Sequence, residues 1–173
     1  CVVSALITKL APNEVFCFGS NRTGFHGAGA AGQAMRGTSS NTWRTDEIFL
    51  RAMRSPVDHP DRVGIWAIYG VGRGWTRGRE GMSYAIQTIE RPGQKRSTPL
   101  AEIKKQLIEL VAFCRLHDEW TFLMTPIGAG LSGWTAQEMN ETLYSTLEIA
   151  GSCPHNLVIP PALYQTNSNW RAT

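Results

Sequence analysis

The sequence predicts an α/β domain, a mixed and mostly parallel sheet held between two layers of helices, on three observations. Short, uninterrupted apolar runs alternate with amphipathic helical stretches along the chain. The first of them, Val15 to Phe18, lacks the polar alternation of a sheet with one wet face, so it reads as a strand buried on both sides, as a parallel sheet requires. Two of the runs end in glycine-rich loops that lead into helices, the connection expected at the carboxyl ends of parallel strands.

The elements follow in order. Val15-Phe16-Cys17-Phe18, closed by Gly19, reads as a buried strand. Ala28 to Arg36 reads as a helix stopped by Gly37, and Asp46 to Arg54 as a second helix. The run Val63 to Tyr69 reads as a strand, and so does the alternation from Tyr84 to Ile89. Between them the glycine-, tryptophan- and arginine-rich stretch from Gly70 to Gly81 reads as a long loop. Thr98 before Pro99 reads as a capping hydroxyl with proline at the first helical position. Leu100, Ile103, Leu107, Leu110, Val111 and Cys114 then form one apolar stripe. Thr121 to Ile127 is the next strand. Thr135 and Glu138 form a capping box for a helix that carries Met139, Leu143 and Leu147 on one face and stops near Gly151. Leu157 to Ile159 closes the sheet. With no internal repeat and no low-complexity linker, residues 1–173 read as one domain with its core over about 14–160.

At 173 residues, 42% hydrophobic and 18% charged, the chain can bury a core of ordinary size. The net charge of +3 is scattered except for Arg73, Arg77 and Arg79, and does not by itself argue for nucleic acid, whose binders usually show a concentrated basic face. Cys1, Cys17, Cys114 and Cys153 form no close pair, and His59, His117 and His155 have no metal-ligand spacing, so neither a metal nor a cofactor is expected. Cys17 and Cys114 lie in apolar runs and read as small buried hydrophobes, consistent with a reducing compartment. No stretch approaches the ~18 apolar residues of a membrane span, and the amino end lacks a signal segment. The expected location is cytoplasmic, with no membrane partner. A start at Cys1 rather than methionine is compatible with a trimmed chain or with part of a longer one.

Two loops carry the chemistry. The first runs Gly19-Ser20-Asn21-Arg22-Thr23-Gly24-Phe25-His26-Gly27-Ala28-Gly29-Ala30-Ala31, from a strand into a helix. Its small residues let backbone approach a ligand, and the helix start presents free amides to an anion. The second is Gly128-Ala129-Gly130-Leu131-Ser132-Gly133-Trp134, a glycine-x-glycine-x-x-glycine pattern between a strand and a capped helix. Alone that pattern is weak, but its context suits a diphosphate nest. The expected ligand-binding residues are Gly19, Ser20, Asn21, Gly27, Ala28, Gly29, Gly128, Ala129, Gly130, Leu131, Ser132, Gly133 and Trp134. Trp134 either stacks on a base or packs beside the helix start. Asn21 and His26 are the candidate catalytic residues, able to hold a water or a ribose hydroxyl; the alternative for His26 is a cap or a backbone bond.

Phe18-Gly19-Ser20-Asn21, His26 to Ala31, Gly81-Met82-Ser83-Tyr84-Ala85-Ile86 and Pro126-Ile127-Gly128-Ala129-Gly130-Leu131 together resemble the macrodomain superfamily, and among it the short macrodomain-like proteins of bacteria and their viruses. The resemblance spans Glu14 to about Pro160, with its specific motifs in the first and last segments, and the stretch from Thr38 to Arg62 matches nothing in it. It implies a three-layer αβα sandwich and a cleft for ADP-ribose or a related nucleotide, free or carried on a macromolecule. Asn21 falls where such proteins place an asparagine near the distal ribose, Gly27 to Ala31 on their first glycine loop, and Gly128 to Gly133 on their diphosphate loop. The branch that removes ADP-ribose has an acid inside the second loop, where this chain has Ser132. Part of that branch has a lysine after the middle strand, where this chain has Gln87-Thr88-Ile89-Glu90. A reader of ADP-ribose and a hydrolase of an ADP-ribosyl bond therefore both stand as expectations. The alternative is a nucleic-acid-binding accessory protein using Arg73, Arg77 and Arg79 with the tryptophans.

Overall fold

The structure, a computed structural model, describes residues 2–3, 7, 9–27, 29–37, 47–56, 58–127 and 132–160. Its centre is a six-stranded sheet in the order β1-β6-β5-β2-β4-β3, where β1 is Val2–Val3, β2 Glu14–Asn21, β3 Gly74–Arg77, β4 Met82–Ile89, β5 Thr121–Met124 and β6 Leu157–Ile159. Only the edge strand β3 runs antiparallel. Among the described residues, four α-helices accompany it: α1 (Gly29–Arg36), α2 (Glu47–Arg54), α3 (Leu100–Leu116) and α4 (Ala136–Ala150).

β2 shows why the fold has three layers. Its side chains alternate between faces, and both faces are sealed. Val15 and Cys17 enter a large cluster with Ile103, Leu107 and Leu110 of α3 and Met139 and Leu143 of α4. Phe16 and Phe18 enter a second cluster with Ala34 of α1, Trp66 and Ala85. The two phenylalanines stack at 5.9 Å, and Trp66 leans on Phe16 at 5.2 Å. Burial pushes the Cys17 thiol well above its usual range and that of Cys114 up to about 12, so both behave as inert hydrophobes. Cys153 is disulfide-bonded, which the cysteine spacing did not announce.

The run from Val63 to Tyr69 is not a strand. Its contacts explain the apolar composition: the N–H groups of Ile65 and Trp66 donate to the carbonyls of Met35 and Ala34, at 2.7 and 2.9 Å. The segment thus wraps the end of α1 as buried loop, leaving one isolated bridge between Val63 and Ile68. The strand lies instead in the expected long loop, as β3, where Trp75 and Arg77 alternate outward against buried Thr76. The start of α3 is also shifted by one residue. Pro99 is the cap residue without a side-chain bond, and Thr98 Oγ1 instead accepts from Gln87 Nε2 at 3.3 Å.

The capping box of α4 is formed as expected, with Glu138 N donating to Thr135 Oγ1 at 3.0 Å and Thr135 N donating to Glu138 Oε1 at 3.2 Å. Thr135→Ala is expected to lower stability by about 1 kcal/mol, read as a shift of the urea midpoint at unchanged slope. A midpoint equal to that of wild type would show that the Arg96 contacts to Glu138 hold this helix end by themselves.

Candidate functional site

β2 and β4 pair in register from Val15 to Ser20, and then the register slips between Ser20 and Asn21. The slip leaves Thr88 as an extra, unpaired residue of β4, and pairing resumes at Asn21 with Ile89. The chain then makes a tight loop. Asn21 Oδ1 accepts from the N–H groups of Thr23 and Phe25, at 3.0 and 3.2 Å, and from the Thr23 hydroxyl. Its Nδ2 donates to Phe25 O at 2.9 Å. The Asn21 carboxamide therefore holds its own loop shut, the local role asparagine plays best.

The loop is braced from behind by glycines. Gly24 lies at φ +69°, and a Cβ there would sit 2.2 Å from the Gly70 carbonyl carbon. A Cβ on Gly72 would sit 1.9 Å from Asn21 O. Gly70 and Gly72 thus serve backbone-to-backbone packing against the first loop.

Gly19, Ser20, Asn21, Phe25 and Gly27 form one wall of a cleft of about 380 Å³ at the carboxyl ends of β2 and β4. Ala31, in the first turn of α1, continues that wall. Thr88 and Ile89 of β4, then Pro92, Gly93, Lys95 and Ser132, complete the enclosure. The size lies in the ordinary range for small-molecule sites. Its polar groups form a row: Ser132 Oγ bonds Thr88 Oγ1 at 2.8 Å, and Thr88 Oγ1 donates to Ser20 O at 3.3 Å.

His26 lies behind this wall. It is fully buried, with Nε2 3.1 Å from Ser20 Oγ and its ring edge-on to Phe18 at 5.2 Å. Burial lowers its pKa to about 4, only partly opposed by the Val71 backbone, so the imidazole is neutral at physiological pH.

No family model and no curated protein matches the chain. Solved structures do. The macrodomain of Thermus aquaticus DarG aligns over 92% of this chain and 95% of its own, at 18% identity and a TM-score of 0.55. The macrodomain of Mycobacterium tuberculosis DarG aligns over the same shares at 17% identity and a TM-score of 0.54. The fold is a macrodomain fold. Thermosipho africanus DarTG, solved in complex with ADP-ribose, aligns over 86% of this chain and 38% of its own, at 12% identity and a TM-score of 0.50. At such identities the likeness extends to the fold and no further.

Within this macrodomain fold, Gly19, Ser20, Asn21, Gly27 and Ser132 come together at the cleft. Gly29 opens α1 but does not line it. Gly133 and Trp134 sit just outside, where Trp134 packs on the core beneath the Arg96 guanidinium at 4.9 Å. His26 bonds to Ser20 and does not itself line the cleft. Ala28 and Gly128, Ala129, Gly130 and Leu131 lie outside the described residues.

The arginine–tryptophan stretch is engaged elsewhere. Arg73 bridges Glu102 at 2.8 Å and Glu109 at 3.2 Å, and Trp75 stacks on Trp120 with centroids 5.5 Å apart. Arg77 pairs with the start of β4, at the end of the sheet away from the cleft. Gln87 is tied into the interior, its backbone exchanging two bonds with the Gln106 amide.

Reading the sequence missed Phe25, Thr88, Ile89, Pro92, Gly93 and Lys95. A signal was available for two of them. Pro92-Gly93 directly after a buried strand is a turn at a carboxyl strand end, the place where ligands bind in open sheets. Among the described residues no cluster of three or more metal-ligating side chains occurs, and no helix is long and apolar enough to cross a membrane.

Proposed function

We propose that the cleft binds ADP-ribose or a related nucleotide diphosphate, as a reader that holds its ligand without consuming it. One observation carries the reading: the first glycine loop, the first turn of α1 and the end of the second glycine loop meet around one cavity at the carboxyl ends of β2 and β4. Free backbone amides at a helix start and glycines that admit close approach are what a diphosphate needs. The known ADP-ribose complex of one protein of similar fold supports the choice of nucleotide.

The choice of reader over hydrolase rests on the walls. No carboxylate and no histidine lines the cleft among the described residues, and the adjoining residues 128–131 are Gly-Ala-Gly-Leu. Asn21 is held by its own loop and His26 by Ser20, so neither is offered here as the holder of an attacking water. A general base must lie within hydrogen-bond reach of the proton it takes.

A calorimetric titration with ADP-ribose tests the binding, and release of ADP-ribose from modified protein and modified nucleic acid tests the chemistry. Saturable binding with no release is the expected result. Absence of binding by folded protein sinks the reading, and release from either substrate replaces the reader with a hydrolase.

A further inference from the structure

We propose that Lys95 reads the negative charge of the ligand, held in place for that purpose by a strap of residues 91–97 stapled across the end of the second glycine loop. The inference rests on the cleft reading for where the ligand lies, and adds what selects it.

Among the described residues that line the cleft, Lys95 alone carries a formal charge. No ion pair joins it to a described residue. Its neighbour Arg96 is the opposite case, engaged on every side. Arg96 N donates to Ser132 O at 2.8 Å and Nε to Gly133 O at 2.9 Å. Its two Nη atoms reach the Glu138 carboxylate at 3.1 and 3.3 Å, and the guanidinium lies over Trp134. Arg96 also has φ +53°, and no other non-glycine residue described has a positive φ. A side chain rarely adopts that conformation, and it persists where surrounding bonds over-determine it.

The anchored Arg96 lays the preceding residue along the loop. A Cβ on Gly133 would fall 2.8 Å from Lys95 Cβ, 3.2 Å from Cγ and 3.4 Å from Cδ, so the Lys95 stem runs across the bare face of Gly133. Gly133, at φ +86°, is required there both for its backbone and for this contact. Packing the stem reduces the freedom lost when the ammonium engages a partner. Lys95, an exposed residue at the rim, lines a cleft whose other polar side chains include the hydroxyls of Ser20, Thr88 and Ser132. Low-dielectric walls focus such a charge. A hydrated point charge of this kind suits a phosphate oxygen, with the hydroxyls as further partners. The ligand class that follows is one bearing a diphosphate, with uncharged nucleosides discriminated against.

The test uses three probes on wild type, Lys95→Gln and Lys95→Arg: inorganic pyrophosphate, ADP-ribose and adenosine, each titrated at low and at high salt. Wild type is expected to bind pyrophosphate, followed by NMR shifts at Ser20, Thr88 and Ser132, with affinity that falls as salt rises. Lys95→Gln is expected to lose about tenfold for pyrophosphate and ADP-ribose at low salt, with a flatter salt dependence. Lys95→Arg is expected to keep most of both, and adenosine to be indifferent to the substitution. Equal pyrophosphate affinity and salt dependence in wild type and Lys95→Gln overturns the proposal. So does a wild type that does not bind pyrophosphate, or an equal loss for adenosine, which would make Lys95 a packing residue. Pyrophosphate binding that depends on Lys95, with no binding of ADP-ribose, upholds the charge reading and removes the nucleotide from the proposed function.

Discussion

Ala31→Glu is expected to abolish ADP-ribose binding, by a hundredfold or more, while the protein stays folded. Ala31 is the third residue of α1 and lines the cleft, and the first turn of that helix contains no acid. A carboxylate in a first turn is favourable to the helix, because unpaired amides and the macrodipole present partial positive charge there. The stability of the fold should therefore hold. The same amides are the anion site that the proposed function assigns to the diphosphate. Glutamate would occupy it from within, fill part of the cleft and repel the ligand. A hundredfold loss corresponds to about 2.7 kcal/mol, which two like charges at short range in a half-buried cleft readily supply. Calorimetry with ADP-ribose, alongside thermal unfolding to show an intact fold, gives the readout. Undiminished affinity in a folded Ala31→Glu protein would place the ligand elsewhere.

The second large effect is on stability and concerns His26. Its folded pKa of about 4 lies below the ordinary 6.5, because burial disfavours the imidazolium. Between those two values the unfolded chain binds a proton that the folded protein does not. Stability contributed by the neutral ring is thus fully present above about pH 6.5 and is lost as pH falls toward 4. The whole difference amounts to about 3 kcal/mol, of which about 2 kcal/mol disappears between pH 7 and pH 5. Urea unfolding at those two pH values should show this loss in wild type. His26→Asn is expected to be less stable at pH 7 but to lack that component of the pH dependence. An identical pH dependence in both proteins would refute a buried neutral histidine.

The strands β2, β4, β5 and β6 and the helices α3 and α4 were legible because each is specified locally. Their apolar runs and stripes have the length and period of the element they form, and Thr135 with Glu138 marks a helix start by its own bonds. The residues 63–69 misled because hydrophobicity reports burial, and burial is achieved there by wrapping α1. The strand β3 was hidden by Gly74 and by a composition typical of loops; its pairing with Met82 to Ala85 is what makes it a strand.

What the sequence determined by itself is the αβα class, the start of the first glycine loop at the end of β2, and the nearness of Gly19, Ser20, Asn21, Gly27 and Ser132, which line one cleft. These follow from patterns within a few residues of one another. Only the tertiary structure decided which side chains line the cleft. His26 and Asn21 look alike in a loop of small residues, yet His26 is bonded to Ser20 and Asn21 is bound to its own turn. Lys95 is 37 residues from Ser132 in sequence (132 minus 95) and shares the cleft with it because Arg96 bonds to Ser132 and Gly133. Such contacts depend on where two distant loops meet in space, and no local propensity records that meeting. The physical reason is that burial and long-range hydrogen bonds are properties of the packed chain, whereas period and capping belong to each segment alone.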